Sequence, residues 1–181
     1  GKNNKNIHDA NPDSAREEAE SKHMSPHMLA AFQDGTKTMA EMTLLSNATG
    51  LTPDITGMHG ISGDLDQTVE KLDLTADGGV LNSFGVVEYV NGIAPGVFVI
   101  VEGQNEGVKN EMNYLLKKGD RKHHILYRAF HLASLETPLT IAKAVLNHDH
   151  AIVPIGAPVS ETIAVAKRDI KSGETIDGIG G

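Results

Sequence analysis

Glycine sets the grain of this chain. Nineteen glycines fall at discrete points, among them Gly35, Gly50, Gly57, Gly60, Gly92, Gly96 and Gly119, and form no low-complexity tract. Glycine is poor inside helices and strands and well suited to their ends, so this punctuation bounds short elements in a globular pattern. With 181 residues, 39% of them apolar, the chain can bury one good core, or one core and a small appendage.

The spans between those points carry helical and strand signals in turn. Pro12-Asp13-Ser14 opens a polar surface helix, with Ser14 and Glu17 at capping-box spacing. Ser25-Pro26 starts a second helix, Ser25 as N-cap and Pro26 at the first helical position, with Met28, Leu29 and Phe32 on its apolar face and Gly35 ending or kinking it. Residues 36–49 are helical again, with Met39, Met42 and Leu45 on one stripe and Gly50 as the C′ residue. Residues 51–64 read as a loop over a site or interface, and 66–72 as a short helix. Strands are predicted at 84–90, 97–102 and 125–128, the second apolar enough to be central, with a helix at 106–118 between the last two. Thr137 is placed to cap a helix running from Pro138 to about residue 146. A short strand at 163–166 and a polar turn at 169–175 follow. Strands separated by helices in this order predict an α/β or α+β fold with helices packed on a sheet.

Composition narrows the function classes. Without cysteine there is no disulfide framework, Cys-based zinc site or thiol nucleophile. No apolar run reaches the roughly 20 residues of a membrane span, and residues 1–11 lack the apolar core of a signal peptide, so a soluble, cytoplasmic protein with no membrane partner is expected. A net charge of −8, no Trp, three Tyr and four Phe argue against a surface built for phosphate neutralisation and base stacking, so nucleic acid is not an expected partner.

Lys37 and Glu41 lie four residues apart on one helix face. The plain reading is an exposed ion pair worth a few tenths of a kcal/mol. The functional reading rests on position: a Lys in the first turn after Asp-Gly projects with the backbone N–H groups toward a carbonyl or phosphate, and there it can polarise the one or pass a proton. The histidines form a second set. His148 and His150 read as solvated residues at a helix C-terminus, whereas His59 and His131 sit where loops leave regular elements. No H-E-x-x-H, G-x-G-x-x-G or P-loop string occurs.

Several strings together resemble one group of bacterial oxidoreductases: Asp34-Gly35-Thr36-Lys37-Thr38-Met39-Ala40-Glu41-Met42, Gly57-Met58-His59-Gly60, Ala94-Pro95-Gly96-Val97-Phe98-Val99, Tyr127-Arg128-Ala129-Phe130-His131-Leu132, Ser134-Leu135-Glu136-Thr137-Pro138-Leu139 and Ala164-Val165-Ala166-Lys167-Arg168-Asp169. These are the homoserine-dehydrogenase-like proteins ending in a SAF domain, a group that includes deoxyxylulose-phosphate-reductoisomerase-like enzymes of isoprenoid synthesis. The resemblance implies a leading segment at 1–11 arriving from a Rossmann domain outside this chain, a central catalytic and dimerisation domain at 12–158, and the start of a SAF domain at 159–181. It implies Lys37 as the catalytic lysine with Glu41 orienting it or sharing its proton, and Asp34, Asn47, His59, His131 and Glu136 as substrate-pocket residues. It further implies NADP or NAD, held mainly by the Rossmann domain with Lys2, Asn3 and Asn4 facing the cofactor, a homo-oligomer formed through the central domain, and an isolated chain without activity. Two other readings stand beside it: a non-catalytic binding or oligomerisation module, and a metal site using His59 or His131 with Glu136.

Overall fold

The computed structural model describes residue 2 and residues 5–116, 121–130, 132–176 and 178. The fold is mixed α/β, as its alternating signals predict, and it divides into two compact units. Among the described residues its sheets are three separate two-stranded pairs.

The first unit, residues 4–58, 85–89 and 152–181, is mainly helical. It holds α1 (Arg16–Ser21), α2 (Pro26–Gln33) and α3 (Thr36–Thr49), with the parallel pair β1 (Thr52–Pro53) and β3 (Val86–Val87). Ser25 is the N-cap of α2 with Pro26 in its first turn, and Gly50 closes α3 in the left-handed region at φ +75°, as predicted. The start of α1 differs. Asn11, not Ser14, organises the turn: its Oδ1 accepts the N–H groups of Asp13 and Ser14, both at 3.0 Å. Ser14 is spent on Asn11 in return, its hydroxyl donating to the Asn11 carbonyl and accepting the Asn11 N–H, so the helix begins later with no side-chain cap. Among the described residues two apolar clusters lie in this unit. Ala15 and Ala19 of α1 meet Leu29 and Ala30 of α2, small against large, and Met58, Val87 and Tyr89 pack with Met39, Met42 and Leu51.

Gly35 joins α2 to α3 at φ +96°, where an L side chain is strained, and a Cβ there would stand 2.7 Å from Asn6 Nδ2. That amide already donates to the Tyr89 hydroxyl at 3.0 Å. Gly35→Ala is therefore expected to cost about 2 kcal/mol, read as a lower chemical-denaturation midpoint with an unchanged slope.

The second unit, residues 1–3, 59–84 and 90–151, contains the parallel pair β2 (Ile61–Ser62) and β4 (Val90–Asn91), α4 (Leu65–Lys71), β5 (Gly96–Glu102), α5 (Glu106–Leu116), β6 (His123–Ala129) and α6 (Ala133–Leu146). α4 has the capping box that Asp64 and Gln67 form reciprocally. β5 and β6 make an antiparallel ladder in full register from Gly96 opposite Ala129 to Glu102 opposite His123. Tyr127 lies over Gly96, where a Cβ would meet its ring at 2.5 Å, and its hydroxyl donates to the Ile93 carbonyl at 2.8 Å.

Four expectations change here. The run at 84–90 is not one strand but β3 and β4, because the Glu88 carboxylate takes the Tyr89 N–H at 2.8 Å and interrupts the ladder. β5 is not central: among the described residues it pairs with β6 alone, and its Val97 and Val99, with Leu126 of β6, are exposed. α6 starts at Ala133, not at Pro138. Thr137 caps nothing and donates back to the Ala133 carbonyl within the helix at 2.6 Å, while Pro138 sits inside the helix. Residues 163–166 form no strand; their segment lies along α3 instead. No helix among the described residues is long and apolar enough to cross a membrane.

Candidate active site

The turn from α2 into α3 places the candidate residues of the helical unit. Asp34 ends α2, and its Oδ1 accepts the Thr36 N–H at 2.8 Å, satisfying one of the donors that the start of a helix leaves open. Its other oxygen, Oδ2, receives Lys167 Nζ at 2.8 Å, and the same ammonium donates to the Ala10 carbonyl at 2.5 Å. The pair is well covered, with the Asp34 side chain 5% and the Lys167 side chain 19% exposed. Burial alone would push the Asp34 carboxyl up, but the Lys167 ammonium and the bonds from Thr36 outweigh it and hold the group below the usual carboxylate range.

The segment that follows residue 151 runs along α3, bonded to it at Asn47 and Thr43 and to Asp34 just before its first residue. Asn47 anchors it: the Asn47 carbonyl accepts the Ile155 N–H at 2.8 Å, its Oδ1 accepts the N–H groups of Val159 at 2.8 Å and Ser160 at 3.1 Å, and its Nδ2 donates to the Ser160 carbonyl at 3.2 Å. Further along, the Thr162 and Thr43 hydroxyls meet at 2.7 Å, and Lys167 closes the series at Asp34. The steps 47, 43 and 34 back along the helix, against 159, 162 and 167 forward, define an antiparallel strap. Asn47→Ala is expected to speed amide exchange at Val159 and Ser160 while leaving that of α1 and α2 unchanged, since only side-chain bonds to the strap are lost.

Lys37 and Glu41 stand on α3 as the spacing requires, with Nζ to Oε1 at 3.6 Å and side chains 57% and 63% exposed. Lys37 Nζ also lies 4.8 Å from the centre of the Phe32 ring, which holds the ammonium beside the first turn of α3. Within this unit the lysine is accessible to a ligand from solvent.

The remaining candidates belong to the ladder unit or fall outside the described residues. His59 is half-buried at the start of its unit's 59–84 segment, directly after Met58, which is buried in the other unit's core at φ +63°. Glu136, in the first turn of α6, is ion-paired with Arg128 of β6. Lys2 bridges Asn91 through its backbone, donating to the Val90 carbonyl and accepting the Gly92 N–H, each at 2.7 Å. Asn3, Asn4 and His131 lie outside the described residues. Among the described residues no three His, Asp or Glu side chains converge as a metal-ligand set.

Two groupings escaped the sequence reading. Lys167 carried no spacing signal, because its partners Asp34 and Ala10 are more than a hundred residues away. His123 is buried between two carboxylates, with Nδ1 3.4 Å from Asp73 Oδ2 and Nε2 3.6 Å from Glu102 Oε2, and with the Phe84 ring edge-on at 5.2 Å. Beside it, His124 meets Asn113 Oδ1 at 2.7 Å. The cavity lined there by Asp66, Val69, Arg121, His123 and His124 is about 10 Å³, room for one water and not for a substrate. The pairing of His123 with Glu102 follows from the ladder register, which only the folded strands reveal.

The helical unit presents an accessible lysine, held beside the Phe32 ring, on the first turn of α3. Comparison with known families supplies the class: residues 1–137 match the family described as "Oxidoreductase DRL, catalytic domain". That match takes in 137 of 181 residues, and the chain belongs to this family of oxidoreductase catalytic domains. No curated protein matches the chain.

Proposed function

We propose that the chain is the substrate-handling part of a nicotinamide-dependent oxidoreductase that acts at the carbonyl or alcohol carbon of a small polar substrate, with or without a phosphate group, in the manner of homoserine dehydrogenases or deoxyxylulose-phosphate reductoisomerases. The observation that carries this reading is that Lys37, on the first turn of α3, lies within the family-matched residues and is accessible. In this reading Lys37 Nζ donates a hydrogen bond to the substrate oxygen, stabilises the negative charge that develops on it and exchanges a proton with it, while Glu41 keeps the ammonium oriented. His59, His131 and Glu136 are proposed as further substrate-binding residues. Asn47 lies in the last turn of α3 and Asp34 just before its first, and both are proposed as further substrate-pocket residues.

The two parallel pairs are two residues long each, and no G-x-G-x-x-G turn joins a strand to a helix. In this reading NADP or NAD is held mainly by a Rossmann domain, with Lys2, Asn3 and Asn4 at its margin, and residues 159–181 lead into a SAF domain. The test is consumption of reduced nicotinamide by the full-length natural protein against a panel of small hydroxy and carbonyl compounds, phosphorylated and not. Turnover with one of them supports the reading, and no turnover with either cofactor rejects it.

One observation favours a second reading, a non-catalytic assembly module. α6 buries none of its residues, and Leu135, Leu139, Ile141, Val145 and Leu146 are exposed on it. The first reading also includes self-association, so sedimentation of the full-length protein alone does not choose between them. Oligomerisation in a protein that binds no substrate and consumes no nicotinamide would favour the module.

A further inference from the structure

We infer that Lys167 is a positioning residue for Lys37, acting through Asp34 on the first turn of α3; the inference rests on the reading of Lys37 given above. Asp34 has two carboxylate oxygens and divides them: Oδ1 takes the Thr36 N–H at 2.8 Å, and Oδ2 takes Lys167 Nζ at 2.8 Å. Thr36 is the first residue of α3 and Lys37 the second. The carboxylate is buried, so its charge at the helix start depends on a counter-charge, and Lys167 provides it while its own position is fixed by the Ala10 carbonyl at 2.5 Å. With Oδ2 held, the carboxylate plane is set, Oδ1 is aimed at the Thr36 N–H, and the negative charge stays where the helix dipole favours it. Gly35, at φ +96°, gives the linking residue no side chain with which to fix the turn, so the Asp34 carboxylate supplies that constraint.

The geometry separates this role from that of a simple tether. The strap is already fastened to α3 by Asn47 and Thr43, at the far end and middle of the helix. Lys167 acts at the opposite end, on the turn that bears Lys37.

The test uses the full-length protein with Lys167→Met and Lys167→Arg, and reads the carboxyl titration of Asp34 by carbon NMR, amide exchange at Thr36 and Lys37, amide exchange at Val159 and Ser160, and kcat against KM. Lys167→Met is expected to raise the Asp34 titration and to speed exchange at Thr36 and Lys37 by about fivefold, the loss of one helix cap. Exchange at Val159 and Ser160 should stay unchanged, and kcat should fall by roughly tenfold or more through misplacement of Lys37, with KM little altered. Lys167→Arg, which keeps the charge, should restore most of each. If Lys167→Met fails to fold, Lys167→Gln, which keeps a donor for Ala10 but no charge for Asp34, carries the same expectations. Faster exchange at Val159 and Ser160 with Asp34 and Thr36 unmoved would overturn the inference and make Lys167 a tether. Normal turnover in Lys37→Ala would instead remove the underlying reading of Lys37 while the shifts at Asp34 and Thr36 persisted, so the two failures are distinguishable.

Discussion

Lys37→Ala in the full-length protein is expected to lower kcat by about 10² to 10⁴ while the fold survives. The range is that of losing a positioned acid–base group or an oxyanion donor. The fold should survive because what Lys37 loses is an exposed pair with Glu41 at 3.6 Å and one contact over the Phe32 ring, together about 1 kcal/mol. Steady-state turnover compared with circular dichroism of the same sample checks both halves. Glu41→Gln should cost far less, because it removes an orienting partner and not the donor.

Lys167→Met carries the larger effect on stability, about 3 kcal/mol near neutral pH. That is the low end for breaking a buried ion pair, chosen because the ammonium keeps some contact with water. The loss should depend on pH with a definite sign. The Asp34 carboxyl is held below its ordinary range in the folded chain, so the unfolded chain binds more protons as the solution is acidified. The stabilisation is therefore fully present above the unfolded carboxylate value, about 3.9. It is lost as pH falls from there through the lowered folded value. Denaturation midpoints of the native chain and Lys167→Met should differ most at neutral pH and converge in acid. Asp34→Asn should flatten the acid limb of the native curve.

What the sequence disclosed divides along a physical line. α2 and α3 were legible because their boundaries are local: Ser25-Pro26, Gly35 and Gly50 each act on atoms within one turn. α4 was read one residue late, at 66–72, because the Asp64 to Gln67 capping box that starts it was not singled out. The failures lie where partners are distant or compete locally. Asn11 outcompeted Ser14 for the first turn of α1, and Glu88 captured the amide that a continuous strand at 84–90 needed. β6 was found, but its register against β5, and with it the burial of His123 between Asp73 and Glu102, depends on tertiary pairing that no local pattern encodes. At the site, the helical spacing of Lys37 and Glu41 was readable and is what the fold presents. The strap along α3 was not, because its contacts join residues 34 to 47 with residues 155 to 167 through backbone groups and single polar side chains.

The most direct test of the central claim, that the Lys37 amine serves the reaction, is chemical rescue of Lys37→Ala in the full-length protein by small primary amines, with the compound that supports turnover of the native chain. The predicted result is a slow variant whose turnover rises with added ethylamine, and rises differently with amines of different basicity. Turnover of Lys37→Ala near the native rate, indifferent to added amine, would contradict it.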